Sequence, residues 1–345
     1  MAYSVKYIGG KYLELIQEEW ISLEVGEEMT LFQSYQWYQM LARQYVPTDT
    51  EYFESIYALV KSDGQPCMIA PLWIVKKSFR FVNQKGIYLL GRNSFSDYLN
   101  FIYLYFDECA FDFLLNDLSR KYDMSLYVIE NLRENTSLYR HILEKYEVRK
   151  NKDYPCVGLD LPSSVDDYHN MLSKNSRQNL RTANNRLKKN KKILKYDFDD
   201  KLTDPNRCIA LRESKLVAKY ARVPLYVKYK YRILNRLRYH FPIVIPILDY
   251  SESKVMTAYD EEGYLRAFFN YGYDVSGTRV RVMAAGTDLD FAYYSPGMLL
   301  MYNFILKSIV DGKIKEIDFT RGDEKYKFSL GGQLRLNRTL KFKMK

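Results

Sequence analysis

Histidine, tryptophan and paired cysteine are scarce in this chain of 345 residues. Its three histidines (His141, His169, His240) are scattered, and its four cysteines (Cys67, Cys109, Cys156, Cys208) lie far apart with no C-x-x-C pair. That spacing argues against a zinc site and more strongly against a disulfide framework. Without a Cys/His cluster or a Gly-x-Ser-x-Gly turn, metal hydrolase and serine hydrolase chemistry lack their sequence marks. No run approaches the roughly 18 apolar residues that span a bilayer. Residues 1–10 hold no apolar core long enough for a signal peptide, and Lys6 interrupts them. These absences predict a soluble, cytoplasmic protein with no metal, for which contact with the inner membrane surface stays open.

What is present is apolar bulk, tyrosine and positive charge. Hydrophobic residues make up 47% of the chain, enough for a sizeable core, and tyrosine is abundant at 33 against three Trp. Tyrosine joins apolar area to one hydrogen-bonding tip, which suits half-buried surfaces and sugar or peptide grooves; simple composition bias is the competing explanation. The formal charge of +10 favours an acidic partner such as a nucleotide, a tRNA, an anionic glycan or a membrane surface, without choosing among them.

Length suggests two domains. In the first half, strands are predicted at 4–8, 55–60, 68–75, 86–90 and 126–129. Helices are predicted where Tyr12, Leu15, Ile16, Trp20 and Leu23 recur, over 36–45, and around Phe111–Leu118 and Leu138–Leu143. The second half repeats the order: a strand at 156–161, a long basic helix over 165–190, helices over 209–217 and 226–239, and strands at 243–248, 255–259, 265–271 and 279–284. A helix over 296–310, a strand at 314–319, a short helix over 323–329 and a final strand at 334–342 follow. In 279–284, Val280, Val282 and Ala284 alternate with Arg279, Arg281 and Met283. The boundary falls near Asp153-Tyr154-Pro155, giving domains 1–153 and 154–345, the second carrying a basic helical segment over 165–240.

Three constellations carry chemistry. Ser295-Pro296-Gly297 opens a helix with proline in its first turn and no side-chain bulk beside the unpaired N–H groups, a phosphate-binding arrangement that also serves as an ordinary helix start. Between Ser173 and Lys195 there are nine Lys or Arg and no acid; Lys174, Arg177, Arg181, Lys188 and Lys192 fall near one helical face, and Leu180, Ala183 and Leu187 form an apolar stripe. Such a face steers an anionic donor or polymer, or is simply solvated, and no aromatic residues interleave with its charges. Third, the run Asp318-Phe319-Thr320-Arg321-Gly322-Asp323-Glu324-Lys325-Tyr326-Lys327 gathers a strand end, a turn and a helix start. When a group is transferred to an amine or hydroxyl, a base takes the acceptor's proton and an acid protonates the leaving group. Asp318 is the candidate base; its structural alternative is an acceptor for Arg321 or backbone N–H groups. Arg321 and Lys327 suit an anionic acceptor group or developing oxyanion charge.

This last run resembles the C-terminal signature of the CelD-like acetyltransferases, a branch of the GNAT superfamily that is also similar to the FemAB-type transferases. In the same order, Leu31-Phe32-Gln33-Ser34-Tyr35-Gln36-Trp37 resembles the family's Phe-x-Ser-x-x-Trp element. Ala70-Pro71-Leu72 resembles its Pro-Leu strand, and Leu90-Gly91 with Ser96-Asp97-Tyr98-Leu99-Asn100 its Leu-Gly…Asp-Tyr element. Residues 173–189 resemble its basic helix, and Ser295-Pro296-Gly297-Met298-Leu299-Leu300 its Ser-Pro-Gly helix start.

The resemblance implies an α/β layered fold of two tandem GNAT-like domains, each a mixed, mostly antiparallel sheet flanked by helices. It implies an acyltransferase moving an acetyl or similar group from acetyl-CoA or another acyl-CoA to an amino or hydroxyl group of a sugar in surface-polysaccharide synthesis. Ser295, Gly297, Met298 and Leu299 would hold the cofactor, Asp318, Arg321 and Tyr326 would act in catalysis, and Tyr326 matches the tyrosine that protonates the thiolate. Lys327, Asp323, Asp97, Tyr98, Arg177 and Arg181 would contact substrate, Asp97-Tyr98 from a groove between the halves. The chain departs from the family in lacking the Gln/Arg-x-x-Gly-x-Gly/Ala loop, with Asp288 and Asp290 before the helix instead. The alternatives are a FemAB-like aminoacyl-tRNA-dependent transferase and a non-catalytic binding module.

Overall fold

The computed structural model describes residues 2–44, 51–77, 84–91, 96–200, 205–221 and 250–344. The helix expected over 226–239 and the strand expected over 243–248 lie outside the described residues, as does the basic segment beyond 221.

The chain divides into two compact units. Among the described residues, the first runs to Pro155 and takes in the C-terminal residues from Leu336, and the second lies between Cys156 and Arg335. The first unit holds β1 (Tyr3–Gly9), α1 (Gln17–Leu23), α2 (Tyr35–Gln44), β2 (Phe53–Ser62), β3 (Gln65–Val75), β4 (Gly86–Leu89), α3 (Glu108–Tyr122), β5 (Leu126–Arg133) and α4 (Ser137–Lys145). Strands β1 to β4 pair antiparallel in sequence order, and β4 and β5 pair parallel.

The next strand, β6 (Glu147–Asp160), begins in the first unit and ends in the second. The second unit continues with α5 (Val165–Met171), α6 (Lys174–Lys189), β7 (Leu194–Asp200), α7 (Pro205–Ala221), β8 (Lys254–Asp260), β9 (Leu265–Tyr273), β10 (Arg279–Thr287), α8 (Pro296–Asp311), β11 (Glu316–Arg321) and α9 (Lys325–Ser329). Here too the strands pair antiparallel in order, β7 to β10, with one parallel pair, β10 and β11. Each unit is thus a mixed, mostly antiparallel sheet with helices, and the two repeat one topology.

The strand that completes each sheet comes from an unexpected place in the chain. Cys156–Asp160 of β6 pair with β11, while Asn337–Lys343 of the last strand, β12 (Gln333–Lys343), pair with β5. The C-terminal residues therefore belong with the first unit, where the sequence reading assigned them to the second domain.

The helix expected over 165–190 is two helices. Leu172 is extended, and Ser173 caps α6 by accepting the Ser176 N–H at 3.0 Å. Arg177 bonds the carbonyls of His169 (3.0 Å) and Leu172 (2.8 Å), closing the end of α5. The predicted apolar stripe of Leu180, Ala183 and Leu187 is buried, joining a core that includes Leu159, Phe269, Val280, Val282, Leu299, Ile317 and Phe319.

In the first unit, the Asp112 carboxylate on α3 accepts hydrogen bonds from His141 of α4 (3.0 Å), from Lys145 and from Tyr146. Burial opposes its charge, but these donors outweigh it and hold the carboxyl below its usual range. The folded value being depressed, this stability is present above the unfolded pKa near about 4 and is lost as pH falls through the folded value. Asp112→Asn is expected to lower the melting temperature at pH 7 and to flatten its decline between pH 5 and 3, as thermal melts across that window would read.

Candidate functional site

β10 and β11 flank α8 in the chain and part company in space. Their parallel ladder runs from Arg279↔Glu316 to Arg281↔Asp318. β10 goes on to Thr287, and β11 goes on to Arg321, which pairs with Cys156 of β6. Two irregularities accompany the parting. On β10 the register with β9 slips between Val282 and Ala284. One extra residue exchanges the faces beyond it: Val280 and Val282 pack in the core and are followed there by Ala285, while Gly286 turns toward Leu211 and Phe268. The alternation read from sequence put Ala284 with the two valines, and the bulge displaces it.

On β11 the register with β6 shifts between Asp318 and Arg321, and Thr320 sits at φ 57°. A β-branched residue there costs on the order of 1–3 kcal/mol. Hydrogen bonds hold it: its N–H donates to Asp318 Oδ1 at 2.6 Å and its hydroxyl to the Val282 carbonyl at 2.8 Å.

The start of α8 stands beside the end of β10. Ser295 is left-handed at φ 53° and makes no side-chain cap; Pro296 follows at the first helical position. The Leu299 N–H closes the first turn on the Ser295 carbonyl at 3.1 Å, which leaves the N–H groups of Gly297 and Met298 without intrahelical acceptors. Gly297 permits the approach, because a Cβ there would lie 2.8 Å from Thr287 Oγ1 and 4.0 Å from the tip of the Phe269 ring. Gly297→Ala should cost about 1 kcal/mol through this crowding. Adding Thr287→Ala should recover most of it in a double-mutant cycle read by urea unfolding. Of the residues expected to hold a cofactor, Met298 and Ser295 are half-buried, Gly297 is buried, and Leu299 belongs to the core. Leu299 has neither a free N–H nor an exposed side chain to offer a ligand.

The acidic residues ahead of the helix are less hostile to a phosphate than their sequence suggests. Asp288 is held by Arg266 at 2.7 Å and Arg207 at 3.1 Å, and accepts the Asp290 N–H at 3.0 Å. Arg266 also bonds Asp260 at 2.6 Å, so two guanidinium groups balance two carboxylates there.

The terminal cluster is split by β11. Phe319 faces the core, and its ring lies 6.4 Å from that of Tyr326, which is 6.5 Å from Phe269. Phe269 therefore touches both Tyr326 and the α8 start, putting those two on one face. Asp318, adjacent to Phe319 on a strand, points to the opposite face. There it is 1% exposed and bonds Arg281, which is 0% exposed. Arg281 also donates to Asp274 (2.6 Å from Nη2) and Glu316 (2.8 Å), and Arg335 joins Glu316 (2.8 Å) to Asp160 (2.9 Å) across Gly158, whose missing side chain leaves room for it. Burial opposes the Arg281 charge, but Asp274, Asp318 and Glu316 hold its pKa well above the usual guanidinium value.

Lys327 is also spent on structure. It is buried, and its ammonium reaches the carbonyls of Arg321 (2.9 Å), Gly322 (3.0 Å) and Thr320 (3.4 Å) and the Glu324 carboxylate (2.9 Å). With three donors so engaged it clamps the turn that Gly322 makes at φ 104°. Arg321 is half-exposed and Asp323 exposed at the open side of that turn. Burial, with Glu324 adding repulsion, pushes the Tyr326 phenol well above its usual pKa.

Asp97 and Tyr98 are buried in the first unit. The Tyr98 carbonyl accepts from Gln33 (2.7 Å), and Trp37 donates to Ser96 (2.8 Å), so the two N-terminal motifs meet in one buried polar joint. Arg177 and Arg181 are exposed on α6, Arg177 with its guanidinium turned to the end of α5. Sequence reasoning missed Arg281, Thr320 and Phe269. A signal existed for the first: Arg279 and Arg281 share the two-residue spacing of Glu316 and Asp318.

Residues 257–328, from β8 to α9, match the family described as Acetyltransferase (GNAT) domain. Among solved structures, FemX resembles the chain with a TM-score of 0.60 and 10% identity, over 98% of this chain and 96% of FemX. The C-terminal domain of a protein assigned as a lysylphosphatidylglycerol synthetase from Agrobacterium fabrum has a TM-score of 0.54 and 9% identity, over 95% of this chain and 92% of its own. At these identities the likeness is one of fold. Among curated proteins, no sequence matches significantly. The strands, helix start and turn described above lie within the stretch that matches that family model.

Proposed function

We propose that the protein is an acyltransferase that moves an acyl group from a coenzyme A thioester to an amino or hydroxyl group of a sugar in surface-polysaccharide synthesis. The observation that carries the reading is the parted β10–β11 edge beside the unsatisfied N–H groups of Gly297 and Met298, inside the matched acetyltransferase domain. An exposed strand edge suits an amide-bearing chain, and a helix start suits phosphate. The sugar acceptor rests on the CelD-like resemblance of the sequence.

We assign the roles by place around the helix start. Tyr326, on the same face as the helix start, donates a hydrogen bond to the sulfur as the thiolate forms. Its raised pKa makes complete proton transfer to a thiolate of pKa near about 8.5 uphill, so donation rather than full transfer is its contribution. Arg321 and Asp323 bind the acceptor; as its nitrogen or oxygen bonds the acyl carbon and the C–S bond breaks, the acceptor's proton leaves to solvent and the coenzyme A thiolate takes its proton from solvent. Asp318 has both oxygens engaged on the far face, so we assign it to positioning: it anchors Thr320 and Arg281 where the pairing of the two strands ends.

A second reading, an aminoacyl-tRNA donor, is favoured by the acid-free basic run that contains α6. Thermal shift separates the two, since a ligand at about 100 times its Kd stabilises by about 2.7 kcal/mol. Acetyl-CoA should raise the melting temperature and tRNA should not. CoA release with amino-sugar acceptors should follow. Protection by tRNA alone would move the donor to the second reading, and protection by neither would sink both.

A further inference from the structure

The loop ahead of α8 carries one exposed aromatic ring, Tyr293, that the roles above do not use. α6 packs against the 3-10 turn Ala292–Tyr294. Arg186 of α6 donates to the Tyr293 carbonyl at 2.9 Å, and its guanidinium lies 4.4 Å from the centre of the Tyr293 ring. Tyr293 still has 57% of its surface exposed. Nearby in the loop, the Arg266 guanidinium lies 4.7 Å from the Phe291 ring and 5.4 Å from that of Tyr264, which is equally exposed at 57%. Aromatic rings and guanidinium groups therefore interleave in space, although along the sequence the basic stretch contains no aromatic residue.

Tyr294 also meets the Tyr293 ring edge-to-face at 5.2 Å, and a ring so fixed that keeps most of its surface in solvent is a stacking surface for a flat heterocycle. Lys189, one turn beyond Arg186 on α6, is exposed and adds positive charge for phosphate. Tyr293 precedes Pro296 by three residues, so a heterocycle on it stands close to the first turn of α8. A lipid surface would not need ring stacking; a nucleotide would.

We propose that Tyr293 and Arg186 form a stacking platform for the adenine of the acyl donor, with Lys189 facing its phosphates. The inference rests on the donor reading above. It holds for either source, because a coenzyme A thioester and an aminoacyl-tRNA both present an adenine nucleotide.

Wild type, Tyr293→Ala and Tyr293→Phe are each titrated with acetyl-CoA and, separately, with deacylated tRNA; adenosine 3′,5′-bisphosphate serves as competitor. Whichever donor the wild type binds, Tyr293→Ala is expected to weaken it about tenfold while Tyr293→Phe stays within about twofold. The bisphosphate should compete with wild type and lose its effect on Tyr293→Ala. If the tRNA arm is the one that binds, affinity should also fall steeply with salt. Equal binding by wild type and a folded Tyr293→Ala overturns the platform and leaves the donor reading standing. Binding of neither donor by wild type overturns the donor reading, and the platform with it.

Discussion

Arg281→Met is expected to lower the unfolding free energy by about 3–5 kcal/mol, the range for removing one partner from a buried ion pair. The guanidinium is fully buried and serves three carboxylates, Asp274, Glu316 and Asp318. Methionine fills much of its volume but leaves those carboxylates short of their cation. Arg335 still reaches Glu316, but Asp274 and Asp318 lose their Arg281 bonds. The network also fixes the point where β10 and β11 stop pairing, so donor binding should weaken along with stability. Urea unfolding reads the first effect and titration of acetyl-CoA the second. Asp318→Asn keeps an acceptor for the Thr320 N–H but loses charge opposite Arg281, and should act in the same direction more mildly. A loss of stability below about 1 kcal/mol for Arg281→Met would mean the network is not the support assigned to it.

Tyr326→Phe is expected to lower kcat by about 10²–10³, the usual consequence of removing one donor aimed at developing negative charge. Phenylalanine keeps the ring contacts to Phe269 and Phe319, so stability and KM for the donor should change little. The raised phenol pKa adds a sign: the group stays protonated from neutral pH into the alkaline range, so Tyr326 should give kcat no alkaline limb below about pH 10. Stopped turnover across pH 6–10 for both proteins checks this. A variant with wild-type kcat would remove Tyr326 from the chemistry.

Local patterning made most elements legible in the sequence. The continuous apolar runs of β2 and β3 and the apolar stripe of α6 depend on neighbours in the chain. What was not legible depends on single residues acting at a distance. One bulged residue on β10 swapped Ala285 for Ala284, and the left-handed Thr320 ended the ladder with β11. Arg281 read as a polar-face residue because a strand buried on both faces looks, from one side, like a strand buried on one. The exchange of β6 and β12 between units was hidden because pairing partners lie far apart in the chain. The run from Asp318 to Lys327 was correctly singled out as a close-packed turn, yet proximity in sequence joined Asp318 to Tyr326 where alternation along β11 sends them to opposite faces.

Amide hydrogen exchange with and without saturating acetyl-CoA tests the central claim most directly. The account predicts slower exchange in peptides covering residues 284–299, where the open edge of β10 and the amides of Gly297 and Met298 would meet the donor. Unchanged exchange there, with protection confined to other segments, would contradict it.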